Sequence, residues 1–83
     1  MGDYSATQLA LLRKMWYDKV IGGKHHGERE LCRGFPNHLK SGVEKELKGL
    51  IKKGLVLLKS TNYGKQYSLN PRALKEIREA IAD

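Results

Sequence analysis

Ser41-Gly42-Val43-Glu44-Lys45-Glu46-Leu47-Lys48-Gly49-Leu50-Ile51-Lys52-Lys53-Gly54-Leu55-Val56 is the stretch from which the rest of the chain can be read. Ser41 followed three residues later by Glu44 is a capping-box pattern, in which hydroxyl and carboxylate satisfy the first free backbone N–H groups, so a helix is expected to start there. Val43, Leu47, Leu50 and Ile51 then recur at helical spacing and form one apolar stripe. At about 100° per residue, Lys45, Lys48 and Lys52 fall on the opposite side, with Gly49 among them. One face is core and the other is a row of ammonium groups. Lys52 and Lys53 suit the negative end of the helix dipole, and Gly54 supplies the left-handed residue that ends the helix. Leu55-Val56-Leu57-Leu58-Lys59 has strand length, Gln66-Tyr67-Ser68-Leu69 is a second strand, and residues 60–65 between them are polar turn chemistry with Asn and Gly. The pattern is a helix followed by a β-hairpin.

These periodic apolar positions, followed by the Lys53-Gly54-Leu55-Val56 exit into a hairpin, resemble the recognition helix and first wing strand of the winged helix-turn-helix family. The resemblance implies an α+β fold of three to four helices with a small antiparallel wing of two or three strands. It further implies binding of double-stranded DNA and a role in transcription regulation, with a recognition helix over about 41–53 and a wing over about 55–69. Winged helices also serve as protein-interaction modules, so the likeness speaks more strongly for fold than for activity.

The 83 residues suffice for one small domain, 1–83, and leave no room for a second core. The formal charge is +7, and the sequence pI is near 9.7. Residues 24–65 hold ten Lys/Arg against four Asp/Glu, so the basic excess lies in the same part of the chain as the helix and hairpin. A polyanion is the simplest partner, and nucleic acid the commonest for such a domain. Cys32 is alone, which rules out an internal disulfide and suits a reducing, cytoplasmic setting. No apolar run approaches the ~18 residues of a membrane span, and no signal-peptide pattern opens the chain. Gly2 after Met1 begins a myristoylation motif, but Ala6 stands where that motif requires Ser or Thr.

On the N-terminal side, Ser5 with Gln8 is another capping box, opening a helix that carries Leu9, Leu12, Trp16 and Val20 on one side and that Gly22-Gly23 ends. Leu11 and Met15 fall off that stripe. Such a helix either lies between two other elements or forms a dimer contact, so a homodimer through the first and last helices is one expectation. Lys24-His25-His26 can form a short strand beside the hairpin, and residues 28–33 a short positioning helix contributing Leu31 and Cys32. Gly34-Phe35-Pro36 breaks that helix, with Phe35 anchoring the turn and Leu39 one turn ahead of Val43. Asn70 caps a last helix with Pro71 in its first position and Leu74, Ile77 and Ile81 as its buried stripe, flanked by Ala73 and Ala80.

A helix fits the major groove, and only its exposed face and N-terminal turn reach base edges. The residues offered there are Lys40, Ser41, Lys45, Lys48 and Lys52, as donors to phosphates and, for lysine, to guanine O6 and N7. Lys59, Asn62, Tyr63 and Lys65 on the wing suit phosphates or the minor groove. Glu44 either caps the helix or accepts from a cytosine amine. Gly49 either lets a phosphate approach the backbone closely or is an unselected surface glycine. Tyr63 either stacks on the ligand or folds back over the hairpin.

Other chemistries find less in the chain. His25, His26, Cys32 and His38 are zinc-ligand types, but their spacing matches no familiar zinc pattern, so no metal is expected. Neither an orienting group nor an oxyanion pocket can be identified around Cys32, and Gly22-Gly23-Lys24 lacks the Gly-x-x-x-x-Gly-Lys-Ser/Thr layout. The expectation is therefore no enzyme, no cofactor and no small-molecule ligand. The alternatives to DNA are a protein partner on the first and last helices, or RNA gripped by the basic face and the tyrosine-bearing tip.

Overall fold

The lysine-bearing segment folds as a helix, but it begins at Val43 rather than Ser41. The structure, a computed structural model, describes residues 3–82; Met1 and Gly2, with which the myristoylation motif begins, and Asp83 lie outside that range. In order along the chain it contains α1 (Ala6–Tyr17), β1 (His26–Gly27), α2 (Glu28–Leu31), α3 (Asn37–Lys40), α4 (Val43–Lys52), β2 (Val56–Thr61) and β3 (Gly64–Leu69). A 3-10 turn (Pro71–Ala73) then leads into α5 (Leu74–Ile81). Among the described residues the fold is α+β, five α-helices against a three-stranded antiparallel sheet ordered β1-β3-β2.

The Ser41–Glu44 capping box does not form. Ser41 is extended, at φ −68 and ψ 129, and closes α3. Gly42, at φ 82, precedes α4 with no side-chain cap. A left-handed φ is open to glycine at little cost, and the turn it makes swings Ser41 off the axis of α4. Leu39 consequently belongs to a separate short helix.

The first helix is also shorter than its sequence suggests. Its Ser5–Gln8 capping box is complete, but α1 ends at Tyr17, five residues before Gly22. Lys19 takes the left-handed conformation, φ 57. The Lys19 N–H then donates to Trp16 O at 3.1 Å and the Val20 N–H to Met15 O at 2.9 Å, the paired bonds of a Schellman ending. Beyond it the chain extends because β3 offers backbone partners: Leu69 N–H donates to Val20 O at 2.8 Å and Gly22 N–H to Leu69 O at 3.1 Å. The same ending closes α4 with Gly54 at φ 81, where Gly54 N–H reaches Ile51 O and Leu55 N–H reaches Leu50 O.

α1 packs against α4, α5 and β3. Leu11, Leu12 and Met15 are fully buried as a result: of the two readings of this helix, lying between other elements or forming a dimer contact, the first holds for Leu11 and Met15, which are part of the core. Leu31, Val43, Leu47, Leu50, Leu69 and Ile77 complete its centre, with Cys32 and Tyr67 also inside. Phe35, Leu74, Ala80 and Ile81 pack on its rim. The β1 strand is confined to His26 and Gly27, pairing with Tyr67 and Gln66, so Lys24 and His25 precede it as loop. Asn70 binds on both sides: its side-chain oxygen accepts from Arg72 N–H and its carbonyl from Ala73 N–H, while its amide donates to Gly54 O and its N–H to Leu55 O. The final helix is thereby anchored to the exit of α4.

Candidate nucleic-acid interface

Three sides of α4 have different neighbours. On one, Glu46, Gly49 and Lys53 meet the start of α1: Ser5 Oγ donates to Glu46 Oε1 at 3.0 Å and Gln8 Nε2 to Glu46 O at 3.4 Å. Lys53 Nζ stands 5.2 Å from the centroid of the Tyr4 ring, within cation–π range. Gly49 is therefore not part of the lysine surface, since a Cβ on it would sit 2.6 Å from Gln8 Nε2. On the other side, Glu44 accepts from Lys65 Nζ of β3 at 3.3 Å. Between these contacts Lys45, Lys48 and Lys52 are exposed, and no carboxylate among the described residues pairs with them.

The hairpin that carries Lys65 turns at Asn62 and Tyr63. Thr61 Oγ1 accepts from the Tyr63 N–H at 3.1 Å and donates to Gly64 O at 2.9 Å, while Gly64 takes φ 106 to complete the reversal. Thr61 and Gly64 thus extend the two strands past the boundaries expected from the sequence. Tyr63 is 92% exposed, so it does not fold back to cover the hairpin.

Alternation along the strands sorts the wing residues by face. Lys65 lies opposite Ser60 and shares a face with Tyr67 and Leu69, the face turned to the core and to the first turn of α4. Lys59 lies opposite Gln66 and belongs to the other face. Of the nine residues expected at the interface, the fold gathers Lys45, Lys48, Lys52 and Lys65 on and beside α4. Asn62 and Tyr63 project at the tip, and Lys59 is turned away. Lys40 and Ser41 are exposed just ahead of Gly42, and Lys40 is near enough to Cys32 for its charge to act on the thiol.

Burial pushes the Cys32 thiol above its ordinary pKa, reinforced by Glu28 and opposed by Lys40, so it stays protonated at neutral pH. Burial likewise raises the Tyr67 phenol, with Glu28 and Glu44 acting the same way and Lys65 against it. His25 Nδ1 is bonded to Gln66 Oε1, and among the described residues no three His, Cys, Asp or Glu side chains come together as a metal site. No helix among the described residues is long and apolar enough to cross a membrane.

The Glu44–Lys65 contact is the feature sequence reasoning missed. Its partners are 21 residues apart and belong to different elements, so no local spacing announces it. No family profile, curated protein or solved structure matches the chain.

Proposed function

We propose that this chain is a winged helix-turn-helix domain that binds double-stranded DNA, with α4 in the major groove and the β2–β3 wing on the flanking backbone. The order of helix, strand, two short helices, long helix and hairpin is compatible with that architecture, as is a sheet with β3 between β1 and β2. The observation that carries the reading is the row Lys45, Lys48 and Lys52. These ammonium groups are exposed without carboxylate partners among the described residues, on a helix whose first turn is tied to the wing through Glu44 and Lys65. A surface of unneutralised lysines flanked by a projecting tip attracts phosphates and displaces their counterions. Control of transcription is the role we assign to such binding.

Fluorescence anisotropy with a labelled duplex across a salt series tests this. Affinity is expected to fall with a log-log slope of about −0.9 per phosphate neutralised. The variant carrying K45A, K48A and K52A should bind more weakly and with a shallower slope while keeping its circular dichroism. Unchanged binding in that folded variant, salt-insensitive binding, or preference for RNA over duplex DNA at one salt concentration would overturn the reading.

A further inference from the structure

Two carboxylates lie in the first turn of α4, and the fold treats them differently. Glu46 accepts from Ser5 Oγ and is drawn to α1. Glu44 has no capping duty, because Gly42 precedes the helix without a side-chain cap. Its carboxylate sits instead at the N-terminal end of the lysine row, half-exposed, held from the wing by Lys65 Nζ at 3.3 Å. An acid at this place repels the phosphates that the neighbouring lysines attract, and it occupies the ammonium of one of them.

We propose that Glu44 is a specificity-determining residue that accepts a hydrogen bond from the exocyclic amine of cytosine, with Lys65 as the positioning residue that fixes its rotamer. The inference rests on the duplex-binding reading above. The N-terminal turn of a groove-docked helix is the part that meets base edges. An ionised carboxylate can only accept. In the major groove guanine presents N7 and O6, both acceptors, and thymine presents O4 and a methyl group, so neither offers it a partner. Adenine offers N6–H₂ beside the acceptor N7, which repels the second oxygen. Cytosine offers N4–H₂ without an N7 beside it, and is the base a carboxylate fits. The lone pairs of Glu44 not engaged by Lys65 remain free to take that bond.

Sequencing the bound fraction of a randomised duplex library decides it, using the full chain and three variants checked by thermal melting. The unaltered protein should enrich cytosine at one position by about five- to tenfold, the lower part of the range for a base contact. E44A should level that position. E44Q should move the preference there to adenine, whose N6 and N7 a glutamine amide matches in pairs. K65A should weaken the cytosine preference without moving it to another base. Binding that persists with the same cytosine preference in E44A and E44Q, or with no base preference in the unaltered protein, overturns the inference and leaves duplex binding standing. Absence of salt-dependent binding to any duplex overturns both.

Discussion

Gln8 lies against Gly49 so closely that a Cβ on the glycine would come within 2.6 Å of its Nε2. Gln8 is buried, its Oε1 accepts from Ser5 N–H at 3.0 Å as half of the α1 capping box, and its amide donates to Glu46 O. The missing side chain at position 49 is what brings α1 onto α4 at this height.

Gly49→Ala therefore sets two effects of similar size against each other. Alanine gains about 1 kcal/mol of helix propensity over glycine. Displacing the Gln8 amide costs part of a capping box and a long hydrogen bond, together about 1 kcal/mol. The amide is the far end of a flexible side chain, so the clash itself is relieved by rotation. The expected outcome is a change within about 0.5 kcal/mol for Gly49→Ala alone, and a stabilisation of about 1 kcal/mol when it is made on Gln8→Ala. Urea denaturation of the four proteins in this cycle measures it; equal effects of Gly49→Ala in both backgrounds would show that Gln8 does not restrict position 49.

Lys48 and Lys59 separate the two faces of the basic surface. Lys48 is exposed in the free row of α4, while Lys59 shares the hairpin face of Gln66, turned from α4. Lys48→Ala should lower duplex affinity and reduce the salt slope by about 0.9, one phosphate contact. Lys59→Ala should have the smaller effect on both. Anisotropy titrations at three salt concentrations compare them, and a Lys59 effect equal to or larger than that of Lys48 would place the ligand on the other side of the hairpin.

The helix stripes, the Gly54 stop, the Asn70-Pro71 start and the hairpin could be read from the sequence because each is set by residues within about one turn of each other. The same Ser-x-x-acid/amide spacing occurs at Ser5–Gln8 and Ser41–Glu44, yet only the first forms a box. The difference is Gly42, which can turn left-handed, and a short helix upstream that claims Ser41 as its own end. Helical periodicity drew the main stripe of α1 through Leu9, Leu12, Trp16 and Val20, whereas Gln8, Leu11, Leu12 and Met15 are its buried residues; apolar residues on two sides did indicate a helix lying between other elements, and α4, α5 and β3 are those elements. What α4 presents was legible for its lysines. It was not legible for Gly49 and Glu44, whose surroundings come from residues 41 and 21 positions away.

Cys32 should behave as a core side chain. It is 6% exposed and its thiol is pushed upward chiefly by burial. Alkylation by iodoacetamide at pH 8 should run on the order of a hundredfold slower in the native protein than in urea, since the thiolate is scarce and must await local opening. Mass spectrometry of timed samples reads the rate. Native and unfolded protein reacting alike would mean that the segment after α2 is open in solution.

Tyr67 makes stability depend on alkaline pH, with a sign that follows from its surroundings. Burial first, then Glu28 and Glu44, raise its phenol above the ordinary 10.0, outweighing the opposing charge of Lys65. The folded state thus holds the phenolic proton more tightly than the unfolded chain does. Its contribution is complete below about pH 10 and is lost as the pH rises from there through the folded value, where the unfolded chain ionises first. Tyr67→Phe keeps the ring that β3 contributes to the core and removes the titrating group. The variant should lose less stability than the parent between pH 9 and 11. Chemical denaturation at half-unit steps gives the difference curve, and a flat difference across that window would mean that the phenol ionises equally in both states, with Tyr67 open to water rather than packed in the core.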